Sequence, residues 1–102
     1  MDWTSLSSSV IVKEIGKRLK EYRLKKRLSQ QELAEQAGIS LFTVTKIESG
    51  KPVSINMLLR VMRVLRLLDN LEFLLPEIGP SPIEMLKLQG KKPKRIRNPK
   101  ME

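Results

Sequence analysis

Three times along this chain an apolar residue is followed by a serine and, four positions after the serine, by a second apolar residue: Leu28-Ser29 with Leu33, Ile39-Ser40 with Val44, and Val53-Ser54 with Leu58. A serine so placed can accept a hydrogen bond from a free N–H of the first helical turn, while the flanking apolar pair closes over it as a staple. Each pattern predicts a helix start. After Ser29, Glu32 completes a capping box, Leu33, Ala34 and Ala37 fall on one face, and Gly38 stands where the helix must stop. After Ser40 a second short helix, roughly Leu41 to Glu48, turns Val44 and Ile47 inward and leaves Leu41, Phe42, Thr43, Thr45 and Lys46 on or near the outside. After Ser54, INMLLRVMRVLRLL predicts a helix as far as Leu68 with two adjoining apolar stripes. Leu58, Met62 and Leu65 form one and Met57, Val61, Val64 and Leu68 the other, with Arg60, Arg63 and Arg66 on the wet side.

Either side of these three lie further helices. Val10 to about Lys26 repeats Ile11, Ile15, Leu19 and Tyr22 or Arg23 at three- and four-residue steps, with lysines on its other sides. Asp69, as a cap with Glu72 at the box position, predicts a short helix carrying Leu71, Phe73, Leu74 and Leu75, ended by Pro76. The serine-rich residues 1–9 read as a flexible arm whose Trp3 can fold back. Residues 77–102 read as a linker, a short helix from Ser81-Pro82-Ile83-Glu84 to Gly90, and a basic tail holding Lys91, Lys92, Lys94, Arg95, Arg97 and Lys100. The expected domain is therefore residues 10–76, all-α with five helices. The apolar excess of its last two helices has two ways to be hidden: a larger monomer core involving the first helix and Trp3, or a symmetric homodimer, which is the expectation here.

Charge and composition narrow the chemistry. With 20 Lys and Arg against 11 Asp and Glu in 102 residues, the formal charge of +9 favours a polyanionic partner. The chain has no cysteine and no histidine, which removes disulfides, zinc fingers, thiol nucleophiles and histidine-based proton transfer. Glu32 and Glu35 are accounted for by capping and a solvated face. Catalysis is not expected, nor any cofactor or metal. Neither a membrane-crossing apolar run nor a cleavable leader is recognisable, and a cytoplasmic, nucleoid-associated protein is expected.

The stretch SQQELAEQAGISLFTVTKIES resembles the helix-turn-helix of the lambda-repressor-like (Xre-type) regulators. The likeness rests on the small Ala34 at the helix crossing, Gly38 in the turn, apolar Leu33, Ile39, Val44 and Ile47, and the following Glu48-Ser49-Gly50-Lys51; it runs from about Ile11 to Leu75. The resemblance implies a DNA-binding domain whose second helix enters the major groove of double-stranded DNA. Matched position by position, it implies that Ser40, Leu41, Phe42, Thr45 and Lys46 face DNA, that Gln30 holds phosphate, and that Arg23 pairs with Glu48. Chemistry agrees for several of these. Gln30 opens a helix, where an amide and backbone N–H can grip a phosphate; Lys46 can reach guanine or phosphate; Thr43 and Thr45 can contact either; Lys51, in the turn after the helix, adds a cation.

Leu41 and Phe42 depart from the family's usual polar residues. They can pack on thymine methyls, or one of them can lie on the first helix or at a protein interface. The helix after Ser54, the LLPE at residues 74–77 and the SPIEMLKLQGKK of the tail are also similar to antitoxins paired with Hip-type kinases, which would add a toxin kinase as partner. Three functions follow: a dimeric transcriptional repressor that is also an antitoxin in the narrower case, a protein-interaction module on the same fold, or a nonspecific DNA-binding protein.

Overall fold

The computed structural model describes residues 1–79, and the expected helix at Ser81 to Gly90 and the basic tail lie outside them. Among the described residues there are helices and no strands, in the order α1 (Ser8–Lys25), α2 (Gln30–Ala37), α3 (Leu41–Glu48), α4 (Ile55–Val64) and α5 (Leu71–Leu74). Two single 3₁₀ turns, Trp3–Ser5 and Leu68–Asn70, precede α1 and α5.

All three serine caps form. Ser29, Ser40 and Ser54 accept from the backbone N–H groups of Glu32, Thr43 and Met57, and Glu32 returns a bond to the Ser29 N–H at 2.8 Å. Each such cap contributes about 1 kcal/mol. The staple residues Leu28, Ile39, Val53 and Leu58 lie half-buried against the core. Ser7 supplies a fourth cap, accepting from Val10, so that α1 begins at Ser8 rather than at Val10. Trp3 packs beside this helix, with the Arg18 guanidinium 4.9 Å from its ring centroid, and is not part of the core.

The far ends of α1 to α4 share one construction. In each, a residue in the left-handed region follows the helix: Arg27 (φ 59°), Gly38 (φ 70°), Gly50 (φ 84°) and Arg66 (φ 62°). The next residue's N–H then returns to a carbonyl five positions back: Leu28 to Arg23, Ile39 to Ala34, Lys51 to Lys46, and Leu67 to Met62. This is the Schellman closure, and it satisfies carbonyls that would otherwise be left without partners. It also corrects the sequence expectation for α4. That helix ends at Val64 and does not run on to Leu68, because turning the chain at Arg66 brings Leu67 back against the core while Leu65 stays fully buried.

The core is built from Leu19 of α1, Leu33, Ala34 and Ala37 of α2, Val44 and Ile47 of α3, and Val61 and Leu65 of α4 with its cap. Val61 therefore belongs to the inward face and not to a left-over stripe. In α1 the periodic reading misplaced Ile15, which is exposed; Leu19 turns inward as expected, of Tyr22 and Arg23 it is Arg23 that does so, and Gly16 joins them. Asp69 makes no cap bond, and α5 is only four residues long. The apolar excess resides chiefly here: Phe73, Leu74 and Leu75 are 83%, 68% and 74% exposed.

Candidate nucleic-acid interface

The position of α3 is set by two contacts with α1. At the first, Gly16 lies directly against the last turn of α3: a Cβ on Gly16 would stand 2.1 Å from the Ile47 carbonyl oxygen and 3.3 Å from the Glu48 carbonyl carbon. Only a residue without a side chain allows the two backbones to come so close. At the second, the buried Arg23 side chain spans from α1 to Glu48. Its Nε donates to Glu48 Oε2 at 2.6 Å, its Nη2 to Glu48 Oε1 at 3.0 Å, and its Nη1 to the Leu28 carbonyl at 2.7 Å. The pair's side chains are 7% and 4% exposed, so both charges depend on each other and on these hydrogen bonds.

From the α2 side, Gln30 Nε2 donates to Glu48 Oε1 at 3.0 Å. One N–H of the amide that the sequence reserved for phosphate is thus directed inward, tying the start of α2 to the end of α3. Its second N–H and the backbone N–H groups of Gln30 and Gln31 are not used in this way, whereas that of Glu32 is taken by the Ser29 cap. Ala34 and Ala37, both buried, let α2 and α3 pack closely, and Gly38 makes the corner between them in the left-handed conformation.

With its rear held in this way, α3 presents its leading half to solvent. Val44 and Ile47 are buried, Ser40, Leu41, Phe42 and Thr45 are exposed, and Thr43 and Lys46 are half-buried. Phe42 is 71% exposed and Leu41 43%. Neither belongs to the core. Lys46 stands one turn beyond Phe42, its Nζ 5.6 Å from the ring centroid, a cation–π distance. The hydroxyls are engaged locally: Thr45 Oγ1 donates to the Leu41 carbonyl at 3.0 Å, and Ser40 Oγ and Thr43 Oγ1 share a hydrogen bond of 2.9 Å. Lys51 is exposed just past the helix, and its backbone N–H closes α3 onto Lys46.

Of the sequence-derived site residues, Leu41, Phe42, Thr43, Thr45 and Lys46 thus lie on α3 with Ser40 as its cap, exposed or half-exposed, and Lys51 lies just past its far end. Gln30 sits by the buried Arg23–Glu48 pair. Gly16 went unnoticed in sequence reading. A glycine in mid-helix, costing about 1 kcal/mol relative to alanine, was the signal available. Among the described residues there is no cluster of side chains able to hold a metal, and no helix is long and apolar enough to cross a membrane.

Two short helices joined at a glycine corner, the second supported from behind and exposed along its front, define a helix-turn-helix domain. Comparison with known proteins agrees. The helix-turn-helix family model matches residues 19–68. A solved structure of a complex of the SinR protein and the SinI protein contains a similar chain, 30% identical, with 74% of this chain and 78% of that chain covered and a TM-score of 0.51. No curated protein matches. The chain belongs to the helix-turn-helix family, in its lambda-repressor-like (Xre-type) form.

Proposed function

We propose that this protein is a sequence-specific transcriptional regulator that binds operator DNA as a homodimer, with α3 in the major groove, and represses by occupying the site. The observation that carries the reading is the contrast along α3. Its rear is fixed by a buried bidentate ion pair, while Ser40, Leu41, Phe42 and Thr45 stand exposed at its cap and along its front, with Thr43 and Lys46 half-buried beside them. A helix so mounted fits the major groove, which is wide enough to admit it. Gln30 and Lys51 supply phosphate contacts at either end; Ser40, Leu41, Phe42, Thr43, Thr45 and Lys46 face the bases. The formal charge of +9 suits the same partner.

The dimer is supported by the exposed Phe73, Leu74 and Leu75, contiguous in α5 and its cap. Two copies joined there would present two α3 helices, and a spacing of about 34 Å between them would match one turn of duplex and a palindromic operator. The antitoxin is the narrower form of this reading, supported by the likeness of LLPE and the tail to such proteins; co-purification with a kinase tests it. The compartment is the cytoplasm, at the nucleoid, and the function is binding rather than catalysis.

Selection of binding sites from a random duplex library at about 50 and about 200 mM salt tests the reading. An operator binder enriches one sequence, prefers it over random duplex by roughly 10³ or more, and loses orders of magnitude in affinity as salt rises. A salt slope without enrichment marks nonspecific coating. A flat slope without enrichment marks a protein-binding module.

A further inference from the structure

We infer that the leading edge of α3 reads the 5-methyl groups of pyrimidines, so that operator recognition depends on thymine methyls and extends to 5-methylcytosine. The inference rests on the operator-binding reading and names what that site recognises.

A recognition helix usually distinguishes base pairs by aiming amide, guanidinium or hydroxyl groups at their edges. Here, Lys46 apart, the polar side chains of the edge already bond within the protein. Thr45 Oγ1 is bonded to the backbone, Ser40 and Thr43 to each other, and one N–H of the Gln30 amide to Glu48. What projects is carbon: Leu41 and Phe42, adjacent in sequence, are both exposed and lie outside the core. Lys46 lies near the Phe42 ring and leaves that pair as a greasy surface flanked by one cation.

Two occupants suit an exposed apolar edge, another protein or the floor of the major groove. The groove is favoured by the charge of the chain and by the firm anchoring of α3 from α1 and α2, which holds Leu41 and Phe42 forward. In that groove the one apolar group a base presents is the pyrimidine 5-methyl, carried by thymine and by 5-methylcytosine and lacking in uracil and cytosine.

The test uses the full chain and the operator obtained by selection. Thymines of one half-site are replaced one at a time by deoxyuridine, which deletes a single methyl and leaves every hydrogen-bonding edge intact. Burying a methyl is worth about fourfold in affinity, so one or two positions are expected to lose about fourfold each. At those positions, 5-methylcytosine is expected to bind about fourfold better than cytosine. In Leu41→Ala or Phe42→Ala, checked for an unchanged melting curve, the thymine-to-uracil ratio at the matching position should fall to about one.

Equal binding of thymine and uracil at every position overturns the inference while the operator-binding reading stands. So does a Phe42→Ala and Leu41→Ala pair that keeps both the affinity and the thymine-to-uracil ratio, which would assign the edge to a protein partner. Absence of any preferred duplex overturns the inference and the reading together.

Discussion

Replacing Gly16 by alanine should lower stability, although alanine is the better helix former. The intrinsic gain is about 1 kcal/mol at an interior helical position. Against it stands a Cβ at 2.1 Å from the Ile47 carbonyl oxygen, about 1.3 Å short of the 3.4 Å at which ordinary contact begins. The obstructing atom is backbone and cannot rotate aside. Either α1 or the last turn of α3 must move by on the order of 1 Å, and such overpacking typically costs about 1–3 kcal/mol. The movement also pulls Glu48 from Arg23, whose 2.6 and 3.0 Å hydrogen bonds have no slack; breaking a buried pair costs about 3–5 kcal/mol, of which part would be lost here. The balance is a net loss on the order of 2–4 kcal/mol. For a domain of this size it lowers the melting temperature by roughly 10 °C or more, as read by circular dichroism. Lys17→Ala, its exposed neighbour, should stay within about 0.5 kcal/mol of the parent. An unchanged or raised melting temperature in Gly16→Ala would refute the close approach of α1 and α3.

Three further outcomes are expected. Arg23→Ala should cost about 3–5 kcal/mol in urea unfolding by stranding the Glu48 charge, whereas Arg23→Met with Glu48→Leu should recover most of that loss; equal losses in the two would show that the charge is not the cause. Arg66→Gly should gain on the order of 0.5–1 kcal/mol, because Arg66 holds φ 62° against the preference of a side-chain-bearing residue, and no gain would mean that its side chain contributes as much as the backbone strains. Phe73→Glu with Leu74→Glu should convert a dimer to a folded monomer by sedimentation with helical content retained; a parent already monomeric at tens of micromolar would remove α5 from the assembly.

The corner between α2 and α3 was legible in sequence because everything that builds it is local. Ser29, Glu32, Gly38 and Ser40 each act within four residues, and each does so in the structure. The end of α4 was not. No glycine or proline marks it, and an arginine takes the left-handed position because burial of Leu65 and return of Leu67 to the core outweigh a local preference. Gly16 and the exposure of Ile15 share that character, since the face of α1 that turns inward is decided by where α3 can approach rather than by the spacing of α1's own apolar residues. The Arg23–Glu48 pair joins positions 25 residues apart and was indicated by family likeness alone. The front of α3 was legible as exposed, yet the inward use of the Gln30 amide depended on where Glu48 lies.

The central claim is that the leading half of α3 is the surface that meets DNA. Titrating the isotope-labelled protein with its selected operator and following backbone amide shifts by NMR addresses it residue by residue. The account expects the largest changes at Gln30 and Gln31, Ser40 to Lys46, and Lys51, with the amides of Val61 and Leu65 nearly still. Changes concentrated in Leu71 to Leu75, with Ser40 to Lys46 unmoved at saturation, would contradict it.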